Sequence, residues 1–407
     1  MNTVKIGWID YSEEHKNRVI DVLDIFKKPG TIDKLGIGII RDAFSEKLFP
    51  GTSTIQTRAK YLLFIPYIMR QIELKRPIDP QEFLTQLHKE EINLISKLKG
   101  GQDRDGIIGI DAGKNLQRKP SSIYWSGLRT FDIFTDQKLS LKEYVVEVCS
   151  QNKHRHSISA LGNSNDETKQ DESDDFDVAY DGLSRHYWRI PENFKDWKRE
   201  IKMGLYSGEA VFLRDRIVEK CRNSLLGYVL DNDVTSFIDP AITGINDLRV
   251  LKGILPIHLW DLCAMAISFA NFIEGAHIRY NVILSKSKTD KVEKWNNWFE
   301  HASENNNIDL VGMFCYLQIN DTKGTLSFLK DYQSFISLKD LKGLDDLLTK
   351  RERRLKSPAR AKLCQVETYP YKDWEGIEKI DYRLRVAKKI CADIFNGLEV
   401  PNAKASS

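Results

Sequence analysis

Along most of this chain apolar side chains return every three or four residues, the spacing that lines one face of a helix. The first such run, Val19, Val22, Leu23 and Phe26, follows a Ser12-Glu13-Glu14 cap and stops at Lys28-Pro29-Gly30. Two more follow, 36–49 and 54–73, separated by Pro50-Gly51 and restarted at a Thr/Ser cap. Asp79-Pro80 opens a helix to about Leu98, acidic early and lysine-rich late, as the helix dipole favours. Further helices are expected at 121–134 and 139–149, after Ser207-Gly208-Glu209, and at 257–284, the most apolar region. The pattern continues at 294–303, at 309–319, at 339–356, which turns strongly basic, and at 380–395, which is amphipathic. Only 3–9 alternates as a short strand should. No repeat of fixed period is present. The expected class is mainly α, multi-helical with minor β: an N-terminal winged-helix-like module and a larger helical domain.

One stretch breaks the pattern. Eight acidic residues against a single lysine fall between Asp166 and Asp181, with few apolar groups to repay ordering. The expected organisation is a helical, winged-helix-like domain over 1–150, an acidic linker or insertion over 151–181, and a helical domain with a basic C-terminal segment over 182–401.

Composition narrows this. At 407 residues the chain has room for two to three domains, and a net charge of +3 gives no global polycation. Nucleic-acid binding would therefore have to come from a local patch. Six cysteines stand singly without CxxC spacing, mostly inside apolar runs, as reduced buried thiols do. The N-terminus lacks the basic-then-apolar layout of a signal peptide, and the apolar run 259–273 contains Asp261 and stops at Glu274. A cytoplasmic protein without a membrane partner is expected.

Candidate chemistry lies in four places. The polar start of the helix after Pro50-Gly51 has the makings of a DNA-reading helix: Thr54, Gln56, Thr57, Arg58 and Lys60 combine short polar groups for base edges with cations for phosphate. The same turn chemistry also suits an ordinary helical hairpin. Residues 62–69 are so apolar that only the first turn and a half is free, and Pro66 is expected to bend or end the helix. The glycine-rich loop 99–120 supplies Lys114, Arg118 and Lys119; its Gly109–Asn115 segment lacks the spacing and the Ser or Thr of a phosphate-binding loop. The run 350–362 holds seven cations and one glutamate, and Arg351, Arg353, Arg354, Arg360 and Lys362 are its candidate phosphate contacts. Fourth, Glu274-x-x-His277 and Arg279 lie in an apolar helix and need partners there, with Arg214 or Arg216 as candidates. The spacing is half of a di-iron motif whose second half is missing, so neither a metal nor a cofactor is expected.

Several enzyme classes lose their basis. No histidine is followed two residues later by lysine, as phospholipase-D-type nucleases require, and no GxSxG, HExxH or dinucleotide fingerprint occurs. Asp196-Trp197-Lys198 and Glu200-Ile201-Lys202 resemble the end of a restriction-nuclease motif without a strand before them. Aromatic and basic residues adjoin at Tyr124, Trp125 and Arg129 and again at Tyr187, Trp188 and Arg189, a pattern of base stacking or, more often, of core.

The segments 33–68, 123–134, 207–217, 271–284 and 351–356 together resemble a family of uncharacterised bacterial proteins that carries only a domain-of-unknown-function label. The resemblance brings no catalytic residues. It implies a setting among mobile and anti-phage defence gene clusters, with helicase, nuclease or methyltransferase partners from the same operon. The expectation that follows is a non-enzymatic subunit that binds double-stranded DNA or acts as an adaptor in such a system. The alternatives are a nuclease or other enzyme centred near Glu274 and His277, and a pure protein-interaction scaffold.

Overall fold

The computed structural model describes residues 33–162, 187–191, 197–356 and 358–399. The expected strand at 3–9, the helix after Ser12 and the acidic stretch from 163 onward lie outside them. The described chain is mainly helical. In order, its helices are α1 (Gly38–Leu48), α2 (Tyr61–Glu73), α3 (Pro80–Lys99), α4 (Pro120–Thr130), α5 (Leu141–Gly162), α6 (Ser207–Cys221) and α7 (Leu225–Asp231). They continue with α8 (Ile257–Leu284), α9 (Thr289–Glu300), the single turn α10 (Ala302–Asn305), α11 (Leu310–Leu317), α12 (Thr325–Leu338), α13 (Leu341–Leu355) and α14 (Leu384–Glu399). Among the described residues there is no strand, only an isolated antiparallel bridge between Phe134 and Trp188. The glycine-rich loop at 99–120 holds the 3-10 turn Gly113–Asn115. No described helix is long and apolar enough to cross a membrane.

The chain divides into two compact units, each made of separated stretches: Met1–Ala43 with Met265–Ile380, and Phe44–Ala264 with Asp381–Ser407. In the second unit α2 is the central element. Ten of its thirteen residues are buried, among them Tyr61, Phe64, Tyr67 and Met69, and each large apolar side chain so placed contributes about 1.5–3 kcal/mol. That burial explains why Pro66 does not end the helix: the lost hydrogen bond and ring clash cost about 3 kcal/mol, and packing on α3 and α4 outweighs them. At the α4 contact Gly127 has no room for a side chain, since a Cβ there would lie 2.7 Å from the Gly51 carbonyl oxygen. The amphipathic C-terminal α14 packs on α6, where Gly397 meets Ala210 and Leu205. Trp125, Phe134, Tyr144, Tyr187 and Trp188 form an aromatic cluster, so the aromatics beside Arg129 and Arg189 are core.

In the first unit α11, α12 and α13 pack in sequence. The Trp298 ring of α9 seats against Gly275 of α8, and its indole N–H donates to the Asn271 carbonyl at 2.9 Å. All six cysteines are free; Cys315 and Cys364 are exposed and the other four buried.

The two largest departures from the expected element boundaries are at the start of α2 and the end of α5. The helix expected from Thr54 starts at Tyr61. Residues 54–60 form turns because their backbone donors are committed elsewhere: the Thr57 and Arg58 N–H groups donate to the Tyr124 hydroxyl at 2.8 and 3.0 Å, and the Ala59 N–H to Asp393 at 2.8 Å. The helix expected to close at 149 runs on to Gly162, into the expected linker. It begins with a reciprocal cap between Ser140 and Glu143 and is tied down by Asn152, whose side-chain amide donates to the Pro77 carbonyl at 2.9 Å.

Candidate nucleic-acid interface

The residues nominated at 54–60 turn inward. Gln56, Arg58 and Lys60 are only 4%, 6% and 2% exposed. Gln56 closes its own turn, donating to the Gly51 carbonyl and accepting from the Ser53 N–H, both at 3.2 Å. The Arg58 Nε–H is shared between the two oxygens of Asp393, at 2.9 and 3.0 Å, and its Nη1 donates to Asp103 at 2.8 Å. Lys60 pairs with Glu209, which also accepts from the Tyr67 hydroxyl, and its ammonium lies 4.9 Å from the Tyr206 ring centroid. Burial lowers the Lys60 pKa against the pull of Glu209. These cations are structural ion pairs, closed to a nucleic-acid backbone as they stand. Thr54 is exposed, and Thr57 is half-buried with its hydroxyl donating to the Gly106 carbonyl at 2.6 Å.

Beside Thr54 and Thr57 is a depression of about 420 Å³, lined also by Asp105, Asp381, Arg383, Arg385 and Lys389. Each cation there has a partner: Arg383 pairs with Glu46, Arg385 with Asp381 at 2.9 Å, and Lys389 with Asp105 at 2.5 Å. The sequence reading missed this group because its residues come from opposite ends of the chain; its only local trace is the helical spacing of Arg385 and Lys389. In the loop, Arg118 is exposed, Lys119 is half-buried at the start of α4, and Lys114 belongs to the 3-10 turn.

The basic run in the first unit separates into two sets. Arg351 is 4% exposed and serves the fold. Its guanidinium donates to the Leu35 carbonyl at 2.8 Å, the Lys323 carbonyl at 2.9 Å and the Thr325 hydroxyl at 3.0 Å, and lies 4.9 Å from the Phe328 ring. Lys362 pairs with Glu375 at 2.6 Å, and Lys356 with the fully buried Glu352 at 2.7 Å. Glu352 also accepts from the Tyr280 hydroxyl and the Leu363 N–H, both at 2.9 Å, which holds the chain after α13 against α8. The other set is Lys350, Arg353, Arg354 and Arg360, all exposed and none with an ion pair among the described residues. Of the nominated contacts in this run, Arg353, Arg354 and Arg360 are exposed, while Arg351 and Lys362 are held by partners within the fold.

The expected buried network on α8 is two separate arrangements. Arg279 grips Asp345 of α13 through two bonds of 2.6 Å and lies 5.4 Å from the Trp295 ring. His277 is 5% exposed; burial lowers its pKa to about 4, so the ring is neutral, and its Nδ1 has no partner among the described residues. Glu274 is half-buried, and burial raises its pKa. No hydrogen bond joins Glu274 to His277 among the described residues; of the suggested arginines, Arg214 pairs with Asp215, and Arg216 with Glu219 and Asp132. No group of three or more metal-ligating side chains gathers among the described residues.

Fold and surface together define a mainly helical protein of two compact units with exposed cations at the end of α13 that have no ion pair among the described residues. Residues 3–156 match a family of unknown function, DUF6361. No curated protein and no solved structure matches the chain.

Proposed function

We propose that the protein is a DNA-binding or adaptor subunit without catalytic activity of its own, gripping nucleic acid by its phosphates at the end of α13. The observation that supports this reading is the set Lys350, Arg353, Arg354 and Arg360, exposed and without carboxylate partners among the described residues. Unpaired surface cations bind phosphate without first breaking an ion pair, and their binding releases counterions. The reading rests on surface charge; a winged-helix-like reader is no part of it, since residues 54–60 are turns with Gln56, Arg58 and Lys60 buried. The bacterial defence setting implied by the family resemblance is part of the proposal.

Binding to a short DNA duplex across a salt series tests it. Four cations on four phosphates give a slope of log K against log salt of about −3.6, at about −0.9 per phosphate. Reversing two of them, Arg353→Glu with Arg354→Glu, should at least halve that slope and weaken binding strongly at low salt. Affinity independent of salt, or equal in the double variant, refutes the assignment.

A further inference from the structure

A second cationic cluster, in the other unit, surrounds Asp132. This residue follows α4 in the left-handed backbone region, with φ 55°, and its carboxylate is buried. Three cations converge on one of its oxygens: Lys220 Nζ at 3.1 Å, Arg189 Nε at 3.2 Å and Arg216 Nη1 at 3.5 Å. They come from two places, Arg216 and Lys220 from successive turns of α6 and Arg189 from the bridge beside Phe134, whose backbone holds it by donating to the Ile133 carbonyl at 2.9 Å. Among the described residues Glu219 is the other anion within reach, pairing with Arg216 and, at 3.2 Å, with Lys220.

The cluster has more donors than its acceptors can fill. Arg216 Nη1 is buried, and beyond its 3.5 Å ion pair with Asp132 it makes no hydrogen bond among the described residues, which is uncommon in folded proteins. Arg189 is half exposed and Lys220 about a third, so both retain N–H groups on the solvent side. Glu219 is half exposed and adjacent in the chain to Lys220, and a pair of that kind is weak and readily exchanged. With Glu219 swung aside, three positive charges face the single charge of Asp132, leaving two.

We propose that Arg189, Arg216 and Lys220 form a binding site for a phosphate monoester group, with Asp132 as the buried post that orients them. Two uncompensated positive charges match a dianion, and donors from three side chains match its three free oxygens, which a carboxylate could not fill. The site is independent of the α13 edge and shares no residue with it.

The test is isothermal titration with inorganic phosphate at constant ionic strength, chloride serving as control. Saturable binding by the full chain is expected. Lys220→Gln and Arg189→Gln, both at partly exposed positions, should each weaken it roughly tenfold or more. Glu219→Gln should tighten it, because it removes the competing carboxylate; a purely structural cluster gives no such gain. Short oligonucleotides with a 5′-phosphate or a 5′-hydroxyl separate the sources: preference for the phosphorylated one assigns the site to a nucleic-acid end, and equal affinity alongside phosphate binding assigns it to a small phosphate compound. No saturable phosphate binding in a folded protein, or binding unchanged in Lys220→Gln and Glu219→Gln, overturns the proposal. Salt-dependent duplex binding that survives these variants leaves the α13 reading standing by itself.

Discussion

Arg351 and Arg353 stand two residues apart in the same basic run, yet the structure gives them opposite duties, and substitution of each by glutamine makes the difference measurable. Arg351 donates to three buried or half-buried acceptors at 2.8–3.0 Å that join the segment at Leu35, the loop at Lys323–Thr325 and α13. Hydrogen bonds from a charged donor are worth about 1.5–3 kcal/mol each, and a truncation that strands several acceptors together costs about 3–5 kcal/mol, since the effects do not add. Arg353 is exposed and has no ion pair among the described residues, so its loss should change stability by no more than about 0.5 kcal/mol. Urea unfolding read by hydrogen exchange on peptides spanning α9 to α13 reports on the unit that contains both arginines. Because a chain of two units need not unfold in one step, the first unit's own transition is the one to compare. Arg351→Gln should lower its midpoint markedly. Arg351→Lys should fall between, keeping the charge but losing the planar fork. Equal midpoints for Arg351→Gln and Arg353→Gln would show that the guanidinium does not hold these segments, and would return Arg351 to the list of phosphate contacts.

Two further outcomes follow from buried charge in the second unit. Glu91 accepts from the Ser121 N–H at 2.7 Å through one oxygen, its other oxygen has no partner among the described residues, and burial raises its pKa to about 7. A carboxyl whose folded pKa lies above its unfolded value holds its proton more tightly when folded, so its cost is absent at low pH and grows as pH rises from about 4.5 to about 7. Glu91→Gln should therefore stabilise the protein at pH 8 by up to about 3 kcal/mol and change little at pH 4, read by thermal melts at the two pH values; equal shifts at both would count against it. For the buried pair Lys60–Glu209, Lys60→Met and Glu209→Gln should each cost about 3–5 kcal/mol, while the double variant costs clearly less than their sum, because each single change leaves a buried group without its partner. A strictly additive cycle in chemical denaturation would argue against the pairing.

Much of the fold is legible in the sequence, and the failures have a common cause. The helices α3, α8, α13 and α14 fall close to where apolar spacing and caps place them; Asp79, for example, caps α3 by accepting from Gln81 and Glu82. The late start of α2 was not legible, because what prevents a helix at 57–59 is a tyrosine hydroxyl 66 residues away and a carboxylate 334 residues away. Nor was the fate of the cations: Arg58, Lys60 and Arg351 read like Arg353 and Arg354 as letters, and differ only in whether a distant carboxylate or carbonyl awaits them.

The sequence by itself determined the helical class, the apolar body of α2 and the presence of a basic run at the end of α13, since periodicity, burial preference and charge are properties of neighbouring residues. The tertiary structure alone decided which polar side chains face solvent and which are locked inside. It turned the 54–60 tip from a prospective ligand contact into a set of buried ion pairs, and it gathered Asp132, Arg189, Arg216 and Lys220 from stretches that show no common pattern. The physical reason is that desolvation and pairing act between groups far apart in the chain, so a charge acquires its role only when the fold has chosen its neighbours.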